Sequence, residues 1–235
     1  MSKNVAILQS NYIPWKGYFD LIAKADVFVI YDEVQYTKND WRNRNMIQTA
    51  SGLQWITIPV RKESLDQKIC ESKIFVDNWA KKHVSTLQGN YTKSLHFKAY
   101  HEQVFSLYEN QSNFISEVNV SFIKGICQIL GIKTEIIDSR ELNLEGDRNI
   151  RLLEACKKLK ASTYITGPAA KSYLDLDLFT REGIEVDWMD YSGYQEYKQA
   201  FEPFQHGVSV LDLIFNTGAE AKNYMKYVND KNGTQ

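Results

Sequence analysis

The first 31 residues alternate between short apolar runs and a segment with helical periodicity. Residues 5–8 and 27–31 are continuous apolar runs of the length that is typical of buried strands. Between them, Phe19, Leu21 and Ile22 recur at helical spacing. This pattern predicts two parallel strands joined by a right-handed helical crossover, with the functional loops at the carboxyl ends of the strands.

The next hundred residues predict a small antiparallel element followed by helices. Alternating apolar residues at 54–60 predict a half-exposed strand, and residues 73–76 are its predicted partner. A helix is predicted after Asp77, which suits an N-cap, and a longer one between Ser112 and Gly131. This pattern therefore predicts that the middle part is an insertion between strands of the sheet.

Strands and helices alternate again in the last hundred residues. Three strands are predicted, at residues 135–137, 163–165 and 184–189. The complete pattern indicates an α/β fold: a mostly parallel, Rossmann-like sheet with helices on both faces and a helical insertion. We expect a single domain over residues 1–235, with residues 90–130 as a candidate helical subdomain.

Composition narrows the class of protein. The 235 residues carry 28 Lys and Arg against 29 Asp and Glu, so no overall positive field attracts DNA or an anionic membrane. The three cysteines are widely spaced, and no apolar run approaches the roughly 18 residues of a membrane span. We expect a cytoplasmic protein without a membrane segment, a DNA partner or a disulfide framework.

The first candidate site is the loop that joins the first strand to the first helix. Such turns bind ligands in open α/β sheets, because the N–H groups and the dipole at the helix start favour an anion. The substrate-binding candidates here are Gln9, Asn11, Tyr12, Trp15 and Lys16. The loop lacks the glycine spacing of a dinucleotide fingerprint or a P-loop, which disfavours NAD and Walker-type chemistry. The alternative is a structural turn whose aromatic rings pack as a lid.

The second candidate site follows the second strand and combines cations with aromatic rings. Its binding candidates are Tyr36, Lys38, Trp41, Arg42, Asn43 and Arg44. This combination suits a pyrophosphate and a stacked base, although a charge run of this kind also describes a solvated surface. Asp32, at the end of the strand, is the carboxylate best placed to act as a general base or to hold a hydroxyl group.

Two further segments contribute candidates. Lys82 is a binding candidate on the helix after Asp77, and His83 beside it is a second candidate proton acceptor, although a lone helical histidine is more often structural. After the strand at residues 163–165 another anion-friendly helix start is predicted, and its substrate-binding candidates are Gly167, Lys171 and Tyr173. No metal site is predicted, because the histidines lack acidic or cysteine partners at fitting spacings.

The segment before the last helix contains His206, Ser209 and Asp212, which superficially resemble the catalytic trio of a hydrolase. However, Ser-x-x-Asp before an apolar run is also the pattern of a helix capping box. Triad members usually come from separate loops. We therefore interpret this segment as a helix cap.

Five stretches together resemble the WbqC-like family of bacterial polysaccharide-biosynthesis proteins. They are LQSNYIPWKGYFDLIAKADVFVIYDEVQYTKNDWRNRN at residues 8–45, WITIPV at 55–60, WAKKH at 79–83, YITGPAAKSYL at 164–174 and HGVSVLDLIFNTG at 206–218. The resemblance implies a role in O-antigen or related surface-glycan assembly. It further implies a glycine transferase, which joins glycine through an amide to the amino group of a nucleotide-linked 4-amino-4,6-dideoxy sugar. The resemblance carries over no catalytic residue.

Amide formation of this kind requires an activated carboxyl donor, an unprotonated amine and hydrogen-bond donors for the tetrahedral oxyanion. The candidate residues can fill four roles in such a reaction. These are pyrophosphate binding by Lys16, Lys38, Arg42 and Arg44, base stacking by Trp15, Tyr36 or Trp41, proton acceptance by Asp32 or His83, and positioning of the carbonyl by Asn11 or Asn43.

The donor and two other functions stay open at the level of sequence. No bound cofactor is expected, and the co-substrate is either ATP with magnesium, used to make an aminoacyl adenylate, or glycyl-tRNA. The turn NYIPWKGY loosely resembles the HxGH-type turn of nucleotidylyltransferase-like folds, but Trp15 and Tyr18 replace its histidines. The alternatives are a non-catalytic nucleotide-sugar binding protein and a nucleotidyl- or acyltransferase of the same pathway.

Overall fold

A computed structural model describes residues 2–109 and 112–228. Its strands are β1 (Asn4–Leu8), β2 (Val27–Ile30), β3 (Arg44–Thr49), β4 (Gly52–Thr57), β5 (Val60–Arg61), β6 (Lys73–Ile74), β7 (Glu135–Asp138), β8 (Thr163–Thr166) and β9 (Glu185–Trp188). Its α-helices are α1 (Lys16–Lys24), α2 (Trp79–Tyr91), α3 (Phe97–Ser106), α4 (Ile115–Leu130), α5 (Arg148–Lys158), α6 (Leu176–Arg181) and α7 (Val210–Thr217). Short 3₁₀ helices span Ile69–Glu71, Ser139–Leu142, Pro168–Ser172 and Gly218–Tyr224. The expected domain, residues 1–235, and its candidate subdomain, residues 90–130, extend over residues 1, 110–111 and 229–235, which lie outside the described part.

Five parallel strands form the central sheet in the order β7–β2–β1–β8–β9. The chain winds from β1 to β2 and β7 and then returns, which places β8 against the other side of β1. The strand order therefore reverses between β1 and β8. In open α/β sheets, ligands bind in the crevice outside the carboxyl ends of the strands at such a reversal.

Helices cover both faces of this sheet, as the sequence predicts. Side chains alternate along each strand, so Ala6 and Phe28 face one core while Val5 and Val29 face the other. The first core includes buried residues of α1, α4 and α7, and the second includes those of α5 and α6. Because both faces are covered, the strands read as apolar runs rather than as alternating patterns. The predicted Rossmann-like α/β fold is confirmed.

Two small antiparallel hairpins lie between β2 and α2. β3 pairs with β4, and β5 pairs with β6. The predicted strand at residues 54–60 is therefore two strands, interrupted near Pro59, which has no N–H to continue a ladder. The sequence does not predict β3, because Met46 and Ile47 are its only apolar residues.

The middle of the chain is helical, as predicted, with small shifts at the helix ends. The N-cap of α2 is Asn78 rather than Asp77. α4 ends at Gly131, whose φ of 73° is a left-handed conformation that glycine adopts without a Cβ clash. Among the described residues, no helix combines the length and apolar character needed to cross a membrane.

Candidate functional site

A cleft of about 340 Å³ opens beside the loop that follows β1. Three separate segments line it: the β1–α1 loop, the β2–β3 connection with the start of β3, and the segment before α7. The lining residues are Asn11, Pro14, Trp15, Trp41, Asn45, His206 and Gly207. Small-molecule sites occupy about 300–1,000 Å³, so the cleft can hold a ligand of sugar size.

The β1–α1 loop is held in a strained conformation. Ile13 is β-branched, yet its φ of 36° is left-handed, which costs about 1–3 kcal/mol. Asn45 Nδ2 donates to the carbonyl oxygens of Tyr12 and Ile13, both at 3.0 Å. The N–H of Val210 donates to the Pro14 carbonyl oxygen at 2.9 Å. These bonds fix the three lining segments against one another.

Trp15 forms one wall of the cleft. Its ring centroid lies 5.2 Å from that of Tyr191 and 5.9 Å from that of Tyr194. A Cβ at Gly17 would approach the Trp15 ring to 2.4 Å, so the indole packs where only glycine leaves room. Tyr191 also covers Gly167, because a Cβ there would lie 3.6 Å from the Tyr191 hydroxyl. The turn after β8 therefore adjoins the cleft wall at Gly167.

Lys16, the first residue of α1, is enclosed and only 2% exposed. Its Nζ donates to the Gln195 carbonyl oxygen at 3.2 Å and lies 4.8 Å and 5.4 Å from the ring centroids of Tyr194 and Tyr197. Burial lowers the pKa of Lys16 to about 8, against the opposing attraction of Asp20. The ammonium thus acts on the cleft through its charge rather than by direct contact.

His206 is the exposed imidazole of the cleft. Its ring packs edge-on against Phe204, with the centroids 4.6 Å apart. Desolvation lowers the pKa of His206, and the positive charge of Lys16 lowers it further, while Glu196 opposes the shift. An accessible imidazole that is neutral at pH 7 can accept a proton from a bound ligand.

Trp41 brings the β2–β3 connection to the cleft, and Arg42 follows it without lining the cleft. The Trp41 carbonyl oxygen accepts from the Tyr12 N–H at 2.9 Å, and its side chain is 40% exposed. Arg42 Nη2 donates to Gln9 Oε1 at 3.0 Å, while Arg42 Nη1 lies 3.0 Å from Asp40 Oδ2. The structure therefore brings Gln9 and Arg42 together, with the guanidinium already paired to a carboxylate.

Asp32, the first candidate for the base, is buried and does not line the cleft. Its Oδ1 accepts from the Ser10 N–H at 2.8 Å, and its Oδ2 accepts from the hydroxyls of Ser10 and Ser116 at 2.6 and 2.5 Å. Burial raises the pKa of Asp32 in spite of these bonds. Both oxygens are occupied in tying the end of β1 to α4, so the structure gives Asp32 no access to a substrate.

His83, the second candidate for the base, is enclosed as well. Its Nδ1 lies 2.8 Å from the Tyr12 hydroxyl, which is itself 2.8 Å from the Tyr108 hydroxyl, and its Nε2 lies 3.2 Å from the Thr57 carbonyl oxygen. A carbonyl only accepts, so Nε2 donates and Nδ1 accepts from Tyr12. Burial lowers the pKa of His83 to about 4. His83 and Tyr12 are therefore committed to an internal network.

Four other sequence candidates lie apart from the cleft. Tyr36 is fully buried, and burial raises its pKa to about 12. Asn43 is buried too, and its Nδ2 donates to the Ile58 carbonyl oxygen at 2.9 Å. Lys38 and Lys82 are exposed and do not line the cleft. Tyr36 and Asn43 therefore pack the protein interior rather than face a ligand.

Lys171 and Tyr173 lie beyond the turn after β8, on a different surface. Lys171 Nζ is 5.4 Å from the ring centroid of Trp188, and the Tyr173 ring is 4.6 Å from Arg148 Cζ. These partners belong to β9 and to the start of α5. Of the three candidates after β8, only Gly167 therefore adjoins the cleft wall.

The start of α7 confirms the interpretation as a helix cap. Ser209 Oγ accepts from the Leu211 N–H at 3.3 Å. Asp212 accepts from the hydroxyls of Tyr91 and Tyr197 at 3.0 and 2.8 Å. These partners commit both side chains, so they form no catalytic trio with His206. Within the described ranges, no group of three or more His, Cys, Asp or Glu is placed to hold a metal ion.

Four cleft residues are missing from the sequence-based set of candidates: Pro14, Asn45, His206 and Gly207. For His206 a signal is present, because it stands with Gly207 in the loop that precedes the N-cap Ser209, and loops often carry functional residues. For Asn45 there is none, since its position depends on the pairing of β3 with β4.

The cleft residues lie in the part of the chain that is similar to known proteins. The model of the WbqC-like protein family matches residues 9–224, which include every lining residue. Over 227 residues the chain is 47% identical to the Mycobacterium tuberculosis protein called "Uncharacterized protein Rv1507c", covering 96% of this chain and 98% of that protein. No solved structure matches the chain. The chain therefore belongs to the WbqC-like protein family.

Proposed function

We propose that this protein is an aminoacyl transferase that forms an amide on the amino group of a nucleotide-linked amino sugar in O-antigen or related polysaccharide biosynthesis. The transferred residue is glycine. The observation that carries the proposal is the accessible imidazole of His206 in a cleft lined by Trp15 and Trp41. An imidazole can accept the proton that an amine loses when it is acylated.

The sugar part of the substrate occupies the cleft. Indole rings pack against the apolar C–H face of a sugar, and amide groups hydrogen-bond its hydroxyls. Asn11 offers that capacity, because its Oδ1 is buried without a hydrogen-bond partner among the described residues. A buried oxygen of this kind costs about 1–3 kcal/mol unless a ligand pairs with it. Asn45 is occupied by the loop carbonyls and shapes the cleft instead.

His206 takes the place of Asp32 and His83 as the proposed base. It accepts a proton from the sugar amine, whose nitrogen attacks the activated carbonyl of the donor. It then returns that proton to the leaving group. The positive charge of Lys16 disfavours the protonated imidazole and so favours this second transfer.

Arg42 is the proposed contact for the pyrophosphate of the nucleotide sugar. Its side chain is 19% exposed, and its guanidinium lies between Gln9 and Asp40. A planar guanidinium matches phosphate oxygens with two parallel hydrogen bonds. Phosphate binding then replaces the partly buried pair with Asp40. Lys16 is too enclosed to share this role.

The test supplies the full chain with a nucleotide-linked 4-amino-4,6-dideoxy sugar and, in separate reactions, with glycine plus magnesium ATP or with glycyl-tRNA. Mass spectrometry of the sugar nucleotide should detect one added glycyl group with one of the two donors. Binding of the sugar nucleotide without turnover by either donor would instead support a non-catalytic binding protein.

A pair of histidine variants tests the site itself. His206→Gln should remove most of the product, whereas His101→Gln should leave the rate unchanged, because His101 packs against Phe97 on α3 outside the cleft. An unchanged rate in His206→Gln would eliminate His206 as the base and leave the proposed reaction without its proton acceptor.

A further inference from the structure

The two hairpins expose aromatic rings that are paired with cations. Trp41 and Trp55 are 40% and 41% exposed, and their ring centroids lie 5.3 Å apart. Arg44 Cζ lies 4.1 Å from the ring centroid of Trp55. On the second hairpin, Phe75 is 52% exposed and Arg61 Cζ lies 6.0 Å from its ring centroid. Adjacent exposed rings such as Trp41 and Trp55 are typical of a binding surface rather than of a core.

Trp41 connects this surface to the cleft, because it lines the cleft and also contacts Trp55. Trp55 pairs with Met46 across the first hairpin. Since side chains alternate along a strand, Arg44 lies on the same face as Met46, and Leu53 lies on the same face as Trp55. We call Trp41, Arg44, Leu53 and Trp55 the hairpin platform.

The platform belongs to a basic part of the chain. Residues 38–82 contain nine Lys and Arg against five Asp and Glu, whereas the whole chain has 28 against 29. Cations interleaved with exposed rings fit a polyanion that also offers flat rings, and single-stranded nucleic acid has both properties. A mononucleotide needs one ring and one cation, but the cation–ring pairs recur on both hairpins. This recurrence favours a chain of nucleotides.

We propose that the hairpin platform binds the single-stranded 3′ end of an RNA that carries the aminoacyl group as an ester. Bases stack on Trp41 and Trp55, while Arg44 and Arg61 contact phosphates. The inference rests on the proposed function, because an amide-forming transferase requires an activated donor. It selects the RNA ester over an adenylate made from ATP.

The reaction balances without a further reactant. The sugar amine attacks the ester carbonyl, so the C–N bond of the amide forms and the C–O bond to the ribose oxygen breaks. His206 accepts the proton that the amine loses and gives it to the departing ribose oxygen. The products are the glycyl amide of the sugar nucleotide and an RNA with a free 3′ hydroxyl.

Fluorescence anisotropy with a 5′-labelled, 12-nucleotide single-stranded RNA ending in CCA tests the binding step. The full chain should bind this probe more tightly than the same sequence in a blunt duplex. Affinity should fall as salt rises, with a logarithmic slope of about −0.7 for each phosphate contact. Failure of the single strand to bind, or equal binding of the duplex, would overturn the inference.

Matched variants locate the surface. Trp55→Ala should weaken binding about tenfold or more, since one base loses its stacking partner. Arg61→Gln should weaken binding and make the salt slope shallower. Leu176→Ala and Arg181→Gln, which change an exposed apolar residue and an exposed cation of α6, should leave binding within twofold. Unchanged RNA binding in Trp55→Ala would overturn the assignment. So would sedimentation data in which the wild type is a dimer and Trp55→Ala a monomer, with equal RNA binding by both.

The two proposals fail in different ways. If glycine with ATP gives the sugar amide and the RNA probe does not bind, the platform assignment is wrong while the transferase function stands. If the RNA probe binds at Trp55 and neither donor yields a product, the RNA surface stands and the transferase function is wrong. Product from glycyl-tRNA that Trp55→Ala reduces, with unchanged affinity for the sugar nucleotide, supports both.

Discussion

His83 and His206 both lie close to the β1–α1 loop, yet their surroundings give them opposite chemistry. His83 contacts Tyr12 of this loop and is 6% exposed, with both ring nitrogens in hydrogen bonds. His206 lines the cleft with Trp15 and is open to solvent. Burial lowers the pKa of both, but only His206 can exchange a proton with a ligand. Access, more than pKa, separates a structural histidine from a reactive one.

The same division runs through the loop itself. Asn11 and Trp15 line the cleft, whereas their neighbours Tyr12 and Lys16 are buried. The buried pair anchors the loop through the Tyr108 hydroxyl network and the Tyr194 ring. The pair that lines the cleft is thereby held in place for a ligand. The buried residues of the loop thus hold its cleft-lining residues in place. Substitutions can test the roles of the two groups separately.

The largest effect is expected at His206. His206→Gln removes the proton acceptor, so kcat for amide formation should fall by about 10²–10⁴-fold. The side chain is exposed, and the free energy of unfolding should therefore change by less than about 0.5 kcal/mol. Steady-state kinetics and urea denaturation measure the two quantities. A loss of kcat in His83→Gln, with none in His206→Gln, would reverse the comparison.

Asp32 should behave as part of the enclosed region. Asp32→Ala leaves the buried donors of Ser10 and Ser116 without an acceptor, so the free energy of unfolding should fall by about 3–4 kcal/mol. Urea denaturation checks this value, and Asp32→Asn is the matched variant, with a smaller expected loss because it retains an acceptor oxygen. A variant that keeps its stability but loses turnover would restore Asp32 as a catalytic residue.

His83 should make stability depend on pH. Its pKa is about 4 in the folded protein against an ordinary value of 6.5, so between these pH values the unfolded chain binds more protons than the folded one. Stability contributed by His83 is complete above pH 6.5 and is lost as the pH falls toward 4, by at most about 2–3 kcal/mol. Urea denaturation of wild type and His83→Gln across this range measures the difference. Parallel curves would show that His83 does not titrate in this way.

The central sheet is predictable from sequence because strands that are covered on both faces appear as continuous apolar runs. β1 and β2 show this directly, and their order follows from the short helical crossover. β3 is not predicted, because its sequence, RNMIQT, is mostly polar and its position depends on pairing with β4. Local patterns do not contain that information.

The candidate site is predictable in position but not in orientation. The sequence places ligand-binding residue types in the β1–α1 loop, yet it does not say that Tyr12 is buried and Asn11 lines the cleft. The backbone of Ile13 in this loop is left-handed, a conformation that a β-branched residue does not predict. His206 comes from the far end of the chain. Its segment reaches the cleft through the bond between Val210 and Pro14, a contact that only the folded structure supplies.

The smallest expected effect is that of the buried Lys16 charge on the pKa of His206 in the cleft. Lys16→Met fills the same buried space without the ammonium, so the pKa of His206 should rise toward its ordinary value, while desolvation continues to lower it. A ¹H NMR titration of the His206 ring measures this shift without substrate. The acid limb of the pH profile of kcat/KM should move to higher pH by the same amount, because the imidazole then loses its proton at a higher pH. The difference in the pKa of His206 between wild type and Lys16→Met should become smaller as the salt concentration rises, because salt screens the interaction of the two charges. An unmoved His206 resonance in Lys16→Met would mean that the enclosed lysine orders the loop but does not tune the base.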